Sequence, residues 1–264
     1  MKLGVSTACY YPLETEEALR EIGKAGVKTT EIFFNAESEL KESFIDLLFD
    51  IKEHYGITVA SIHPTFSLAE SFLLFSAYDR RFYEGIEKYS RYGEIAARLG
   101  AKYIIMHGGK PNGILSDQEY CERYMQLKNA SLKSGVTVLQ ENVRNFRAGD
   151  IEFMRSMKEI LGNEAEFCFD IKQSVRCGYP PFSLINEFFS NIHHYHISDH
   201  SLASDCLLPL NNGGFDFEAF FQFLHKNDYK GSAIIEVYNN AYSNYSEIGD
   251  SYKKALSLYN NIKI

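Results

Sequence analysis

Eight short runs of apolar and β-branched residues recur along the 264-residue chain, and longer amphipathic segments separate them. The runs are LGVST (3–7), VKTTEIFF (27–34), ITVASIH (57–63), KYIIMH (102–107), VTVLQE (136–141), EFCFD (166–170), HHYHIS (193–198) and AIIEVY (233–238). Short apolar runs that alternate with helical patterns are typical of strands in a parallel sheet.

The segments between the runs predict helices. In TEEALREIGKAG the apolar residues Ala18, Leu19, Ile22 and Ala25 share one helical face. Glycines end several of these segments, and we expect each to be a left-handed helix cap; they are Gly26, Gly56, Gly100, Gly135 and Gly231. Eight strand–helix units in a chain close to the ~250 residues of such folds predict an α/β protein with one domain, a (β/α)₈ TIM barrel over residues 1–264.

Composition limits the classes of partner. A net charge of −8 disfavours nucleic acid, because proteins that bind it usually present a basic face. No apolar run approaches the ~20 residues of a membrane span, and the N-terminus has no signal-peptide pattern, so we expect a cytoplasmic protein. The five cysteines are scattered without a CxxC pair, which predicts reduced thiols and no structural zinc. The sequence leaves homo-oligomerisation open.

Ionisable residues lie at or near the ends of seven of the eight runs: Glu31, His63, His107, Glu141, Asp170, His196 and Glu236. In a barrel the carboxyl ends of all strands meet on one face, where the active sites of this fold lie. Any one of these residues has an ordinary alternative role, since Asp and Glu often cap the following helix. The whole set consists of metal-ligand types, and it therefore predicts a metal site at the barrel mouth.

The stretch HHYHISDH (193–200) holds half of the eight histidines of the chain. Side chains alternate along a strand, so His194 and His196 share one face and His193 points the other way. His196 lies nearer the mouth and is the expected ligand, whereas we expect His194 in the barrel interior and His193 against a helix. Asp199 and His200 follow in a loop, where contact with substrate, support of His196 and simple solvation all remain open.

Several motifs, taken in order, resemble the sugar isomerase/epimerase superfamily related to xylose isomerase, which includes D-tagatose 3-epimerase and endonuclease IV. The motifs are SIHPTF, IMHGG, LQEN, CFDIKQ, HYHISDH, LPLNNGGFDF and IIEVY. The resemblance implies one divalent metal held by Glu141, Asp170, His196 and Glu236. It also implies that Glu141 and Glu236 serve as catalytic acid and base as well as ligands.

Two positions depart from the family pattern. Where several members have a histidine three residues after the strand-six aspartate, this chain has Gln173, which binds hydroxyl groups but is a poor zinc ligand. This weakens the case for a trinuclear zinc cluster. Asn211 replaces a glycine of a Gly-x-Gly turn, and we expect the turn to survive because Asn tolerates the left-handed conformation.

Three carboxylates and one imidazole form an oxygen-rich site that suits Mn²⁺, Mg²⁺ or Co²⁺, with Zn²⁺ as an alternative. Such a site can polarise an α-hydroxy carbonyl and stabilise an enediolate, while the two glutamates transfer the proton. The sequence thus predicts an isomerase or epimerase of a ketose, sugar phosphate or related polyol. The alternatives are an endonuclease IV-like nuclease, a non-catalytic sugar-binding barrel and a related lyase.

Further residues are expected at the same mouth. His63 and His107 are candidates for substrate contacts, for a second metal or for the core, and Gln173 and His200 are candidates for substrate contacts. The basic residues Lys110, Arg144, Arg147, Lys172 and Arg176 either are solvated or select a phosphate or carboxylate of the substrate, with Lys172 and Arg176 preferred. We expect Glu31 to support the site rather than to act as a catalyst.

Overall fold

The computed structural model describes residues 1–64 and 67–262, so Thr65 and Phe66 of the SIHPTF motif lie outside the described residues. Eight parallel strands close into one barrel in chain order, with the last strand paired to the first. The strands are β1 Lys2–Ser6, β2 Thr29–Phe33, β3 Thr58–His63, β4 Tyr103–Met106, β5 Thr137–Glu141, β6 Phe167–Asp170, β7 Ile192–Ile197 and β8 Ser232–Ile235. The predicted (β/α)₈ TIM barrel is confirmed.

Helices surround the barrel. They are α1 Thr15–Lys24, α2 Glu42–Tyr55, α3 Ser67–Leu74, α4 Asp79–Leu99, α5 Asp117–Leu132, α6 Ile151–Leu161, α7 Ile171–Arg176, α8 Pro181–Phe188, α9 Phe217–Lys226 and α10 Ser246–Asn261. Local sequence fixes their ends: α5 starts at a capping box in which Ser116 and Glu119 bond each other's backbone amides, and α2 ends at left-handed Gly56. Among the described residues, no helix combines the length and the apolar character that crossing a membrane requires.

The core has two layers, as alternation along the strands requires. Phe167 and Phe169 of β6 point outward and pack under the helices, whereas Cys168 and Asp170 point into the barrel. In β7 the ring of Tyr195 packs outward against Phe220, with ring centroids 5.2 Å apart. His194 and His196 are both buried on the inner side, as predicted. Strand β8 is shorter than its apolar run, so Glu236 lies directly beyond the last strand residue.

Four of the five predicted glycine caps are left-handed, and Gly231 is the exception. Gly26, Gly56, Gly100 and Gly135 have φ between 61° and 82°, whereas after α9 the left-handed residue is Asp228, with φ 51°. Gly231 is instead required by close packing, because a Cβ there would lie 2.3 Å from the carbonyl oxygen of His193.

The turn before α9 also differs from the expectation. The left-handed residues are Leu210 (φ 58°) and Asn212 (φ 62°), and Asn211 is not among them. The carboxylate of Asp199 lies against Gly213, where a Cβ would approach it to 2.0 Å, and it accepts a hydrogen bond from the amide of Phe215 at 2.9 Å. Asp199 therefore fixes the segment that leads into α9. This structural role was not among the roles expected from the sequence, which were substrate contact, support of His196 and solvation.

A methyl group at position 231 should destabilise the barrel. We expect Gly231→Ala to lower the free energy of unfolding by about 1–3 kcal/mol, since backbone and the Tyr229 hydroxyl must both move. Gly214→Ala is the matched control, because its Cβ would meet only the His200 carbonyl oxygen at 3.7 Å. Denaturant unfolding of the two variants measures the difference, and equal stabilities would refute this packing argument.

Candidate metal centre and active-site cleft

Four side chains from the last four strands converge at the barrel mouth. Glu141 and Asp170 end β5 and β6, His196 lies in β7, and Glu236 follows β8. One ligand atom from each lies within 4.8 Å of those of the other three. The Nδ1 atom of His196 is 2.9 Å from Glu141 Oε1, 3.5 Å from Glu236 Oε2 and 4.0 Å from Asp170 Oδ2.

The donor atoms fit a divalent metal ion. Atoms bonded to one ion at about 2.0–2.2 Å lie within about 4.4 Å of one another, close to the spacing of this group. Glu141 Oε2 and Asp170 Oδ2 are buried, with His107 Nε2 2.9 Å from the first and Lys172 Nζ 3.1 Å from the second. Several buried carboxylates at one point need more positive charge than these two groups supply, and a hard cation would provide it. The three carboxylates and one imidazole therefore match the oxygen-rich site expected from the sequence.

Asp170 has two functions at once. Its Oδ1 accepts a hydrogen bond from the backbone amide of Gln173 at 2.9 Å and so caps α7, while Oδ2 faces the ligand group. The ordinary role of a strand-end carboxylate as a helix cap and its role as a ligand are thus compatible. The cap fixes the carboxylate plane, which directs the second oxygen toward the mouth.

Glu31 supports His196 from below. The Nε2 atom of His196 lies 3.0 Å from Glu31 Oε2, and Glu31 also accepts hydrogen bonds from the hydroxyl groups of Ser61 at 2.8 Å and Ser6 at 3.2 Å. Donation from Nε2–H to Glu31 leaves Nδ1 as the ligand atom. Burial alone would raise the pKa of Glu31, but His196 and His194 hold it well below its ordinary value. This location agrees with the supporting role expected for Glu31.

The carboxylates differ in their tendency to ionise. Burial raises the pKa of Asp170 to about 6, against the opposing effect of Lys172. Burial would also raise the pKa of Glu141, but His196 and His107 hold it well below the ordinary value. The pKa of Glu236 is lowered too, because Lys172 and His196 outweigh the effect of burial. Glu141 and Glu236 are therefore ionised at neutral pH.

His63 and His107 form a second group around Glu141. Their Nε2 atoms are 3.0 Å apart, and Glu141 Oε2 lies 2.9 Å from His107 Nε2 and 3.6 Å from His63 Nε2. The three residues are close enough to hold a metal ion of their own. Glu141 thus faces the main ligand group with one oxygen and the two histidines with the other. A second metal and substrate contact both remain consistent with this position.

A cleft of about 400 Å³ lies above the ligand group. Five of its lining residues were expected at the mouth, and they are His63, His107, Glu141, Gln173 and Glu236. The others come from the ends of β1, β2, β5 and β8: Ala8, Tyr11, Phe33, Asn35, Val143, Val237, Tyr238 and Asn239. Sequence reasoning missed these residues because aromatic and amide side chains lack ligand chemistry, although most of them also follow strand ends.

The structure separates three predicted substrate contacts from the cleft wall. Lys172 is buried, with Nζ 2.9 Å from Glu236 Oε2 and 3.1 Å from Asp170 Oδ2. Arg176 forms a two-pronged ion pair with Asp205, at 2.6 and 3.0 Å. His200 does not line the cleft among the described residues, and its ring lies 6.4 Å from that of Phe215. Gln173 does line the cleft, and its Oε1 accepts a hydrogen bond from the Arg144 amide at 3.2 Å.

Two of the other basic residues, Lys110 and Arg147, also contact groups of the protein. Arg147 pairs with Asp117, and the Lys110 ammonium lies 4.1 Å from the centre of the Phe72 ring. The ion pairs of Lys172 and Arg176 therefore give no support to the expectation that these two residues select an anionic group of the substrate. Their partners lie up to 64 residues away in sequence, which is why the pattern of charges did not reveal the pairing.

Known proteins with the same architecture are similar to this chain. An uncharacterized protein of Mycobacterium leprae is 25% identical over 261 residues, covering 90% of this chain and 89% of that protein. A D-tagatose 3-epimerase-like protein superposes with a TM-score of 0.77 at 19% identity, over 98% of both chains.

Two further solved structures share the fold. The 3-keto-D-glucoside 4-epimerase of E. coli gives a TM-score of 0.78 at 17% identity, over 97% of this chain and 99% of that one. An AP endonuclease of family 2 from Brucella melitensis gives a TM-score of 0.73 at 15% identity, over 93% of this chain and 95% of that one. The family model of the xylose isomerase-like TIM barrel matches residues 18–262, and the chain therefore belongs to that family.

Proposed function

We propose that this protein is a metal-dependent isomerase or epimerase of an uncharged ketose or related polyol. One observation carries the proposal: Glu141 and Glu236 belong to the metal-ligand group and also line the cleft above it. A substrate in the cleft would thus contact two ionised carboxylates and the ion that they help to hold. The epimerases among the structural neighbours support this reading through their shared fold.

The residues that would hold the ion are Glu141, Asp170, His196 and Glu236. When bound, a divalent ion supplies Lewis acidity that polarises the substrate carbonyl and makes the adjacent C–H more acidic. The chain supplies the geometry: Glu31 orients His196, the α7 cap orients Asp170, and Lys172 fixes Glu236.

Proton transfer is assigned to Glu141 and Glu236. One carboxylate removes the proton next to the carbonyl, which gives an enediolate, and the other, after taking a proton from solvent, returns one. Return to the opposite face of the same carbon gives an epimer, and return to the neighbouring carbon gives an isomer. The two side chains enter from β5 and β8, three strands apart around the rim, so that a planar intermediate fits between them.

Polar groups other than the ligand carboxylates are available to hold the substrate hydroxyls. His63 and His107 present ring nitrogens at the cleft, and Gln173 retains its amide NH₂ as a donor because its oxygen is used by the Arg144 amide. Asn35 and Asn239 also line the cleft. This mixture of amides, imidazoles and aromatic rings suits a polyhydroxylated ligand.

The cleft favours an uncharged substrate over a sugar phosphate. Among the described residues that line it there is no lysine or arginine. Lys172 and Arg176, which were expected to bind an anion, are neutralised by acidic residues of the protein. A phosphate there would lack the charged partners that recognise it elsewhere and would face two carboxylates.

The nuclease alternative has less support. A trinuclear site needs more ligands than one mononuclear group, and Gln173 occupies the position of a further histidine. The His63–His107–Glu141 group favours at most a second ion. The cleft also lacks the basic lining expected for a polyanion among the described residues. A non-catalytic barrel would retain the cleft without a need for two ionised carboxylates beside it.

Metal content should depend on His196 and not on its neighbour. We expect one Mn²⁺ per chain in the metal-loaded wild type and in His193→Ala, and almost none in His196→Ala, which removes the nitrogen ligand. His193 is the matched control because its side chain is 37% exposed and approaches Glu166 rather than the ligand group. Elemental analysis after gel filtration gives the stoichiometry.

Equal metal content in the two histidine variants would contradict the assignment of His196. Two ions per chain in the wild type would show that the His63–His107–Glu141 group is also occupied, and the expectation of a single ion would then be wrong.

Replacing either glutamate should stop turnover beyond any loss of metal. We expect Glu141→Gln and Glu236→Gln, assayed at measured full Mn²⁺ occupancy, to lower kcat on an uncharged ketose by about 10²–10⁴-fold. The control is Glu218→Gln, an equal charge change on the exposed face of α9. We expect at least one of the two variants to retain exchange of one substrate proton with D₂O, through the remaining glutamate. Wild-type turnover in both metal-loaded variants would eliminate the two-glutamate mechanism.

A further inference from the structure

Lys172 is the one lysine or arginine that forms an ion pair with the ligand group among the described residues. Its side chain is 1% exposed, and its ammonium donates hydrogen bonds to the carboxylate of Glu236 at 2.9 Å and to the backbone oxygen of Glu236 at 3.4 Å. Asp170 Oδ2 lies 3.1 Å away, and the ring of Tyr238 covers the ammonium at 4.7 Å. This cation is therefore sealed inside the centre, out of reach of a substrate anion.

The charges of the centre explain what such a cation does. Glu141, Asp170, Glu236 and the adjoining Glu31 contribute four negative charges, and a divalent ion beside a neutral His196 would leave two of them unbalanced. Lys172 supplies one positive charge against this excess. Without the ion it is also the group that keeps Asp170 and Glu236, whose carboxylates share it, from repelling each other.

We propose that Lys172 is a positioning residue that acts as a resident cation. It holds Asp170 and Glu236 in the ligand arrangement before metal binds, so that the barrel mouth is stable without the ion, and its charge weakens the affinity for the ion. This inference rests on the proposed metal site. It predicts two opposite effects of losing the ammonium: the metal-free protein becomes less stable, and the affinity for the metal ion becomes higher.

The test compares Lys172→Met with Lys172→Arg, both measured as whole chains. In Lys172→Met we expect the Tm of the metal-free protein to fall and the Mn²⁺ dissociation constant from calorimetry to fall at least about tenfold, because a monovalent charge next to the ion is gone. Lys172→Arg keeps the charge and should retain most of the metal-free Tm. An unchanged Tm, or Mn²⁺ binding that is equal or weaker in Lys172→Met, overturns the proposal.

Two further outcomes are decisive. If Lys172→Met is obtained unfolded, refolding in Mn²⁺ should recover it, and failure to recover it while Lys172→Arg folds would overturn the proposal. If the wild type and both variants bind no Mn²⁺, the proposed function fails and the affinity half of this inference fails with it. The change in metal-free Tm still decides whether Lys172 holds the carboxylates together.

A second groove adjoins the cleft. It measures about 450 Å³ and shares Tyr11 and Asn239 with the cleft above the ligand group. Its other lining residues are Pro12, Tyr242, Ser243, Asn244 and Tyr245. The Tyr11 side chain is 60% exposed at the junction. The two spaces thus lie side by side and share these two residues.

The wall of this groove is fixed and uncharged. The Tyr242 hydroxyl donates to the Cys9 carbonyl, the Tyr245 ring packs 5.3 Å from that of Tyr10, and the Asn244 amide donates to Glu247 at 2.9 Å. Among the described residues that line the groove there is no Asp, Glu, Lys or Arg. Rigid aromatic faces with a few hydroxyl and amide groups suit a neutral ring that has apolar faces and polar edges, such as a sugar.

From this adjacency we infer that the substrate carries a second uncharged ring-sized unit, such as another sugar, which binds against Tyr11. The inference rests on the proposed function, because it places the reacting ketose in the first cleft and its substituent in the second groove. The ligand class is then a ketose disaccharide or a similar conjugate rather than a free ketose.

Calorimetry on the Mn²⁺-loaded protein tests this without turnover, with D-fructose compared with the ketose disaccharides turanose, lactulose and isomaltulose. We expect at least one disaccharide to bind about tenfold more tightly than D-fructose, and Tyr11→Ala to reduce that ratio. Tyr83→Ala, which removes an equally exposed tyrosine from α4, should keep it. Equal binding of all four sugars, or a ratio unchanged in Tyr11→Ala, overturns the inference.

The outcomes separate this inference from the proposed function. Proton exchange of D-fructose in D₂O without any preference for a disaccharide would leave the proposed function standing and remove the second unit. A preference for a disaccharide without proton exchange in any of the sugars would contradict the proposed function and leave the binding of a second unit standing.

Discussion

Mutual repulsion among buried carboxylates is the constraint on which the centre of this barrel depends. Glu31, Glu141 and Asp170 are each at most 2% exposed, and Glu236 joins them at the same mouth. Such a cluster is stable only if hydrogen-bond donors or cations lie among its members. His196 and Lys172 have those positions: the imidazole lies between Glu31 and Glu141, and the ammonium lies between Asp170 and Glu236.

The barrel determines where this cluster can form. Parallel strands bring all their carboxyl ends to one rim, so residues that are far apart in sequence meet there, as His196 does with Glu31 across 165 positions. Helix caps and buried hydroxyl groups then set the direction of each side chain, so that Asp170 caps α7 with one oxygen and Ser61 and Ser6 hold Glu31. A rigid rim of this kind is suited to binding an ion and to flanking a planar intermediate with two fixed carboxylates.

Much of this arrangement could be predicted from residues and their order. Alternation along a strand was sufficient to separate His196 from His193. Strand ends placed Glu141, Asp170 and Glu236 among seven candidates at the mouth, from which the family resemblance selected the ligand set. The ion pairs between these side chains could not be predicted, because which residues are buried and which lie in contact depends on how the barrel closes. The sequence places Lys172 just beyond a strand, where it could be a solvated charge. In the structure it lies in α7 and its ammonium points inward to Glu236, 64 residues away. The sequence likewise suggests that Gly231 is a helix cap, but glycine is needed there because a side chain would collide with the His193 carbonyl oxygen.

The most direct test of the account is anomalous X-ray scattering from crystals of the full chain grown or soaked with Mn²⁺. The account predicts a manganese peak bonded to Glu141, Asp170, His196 and Glu236, at the floor of the cleft, with Glu31 still bonded to the far nitrogen of His196. A peak elsewhere, or none at this group when Mn²⁺ is saturating, would contradict the central claim that these four residues form a metal centre.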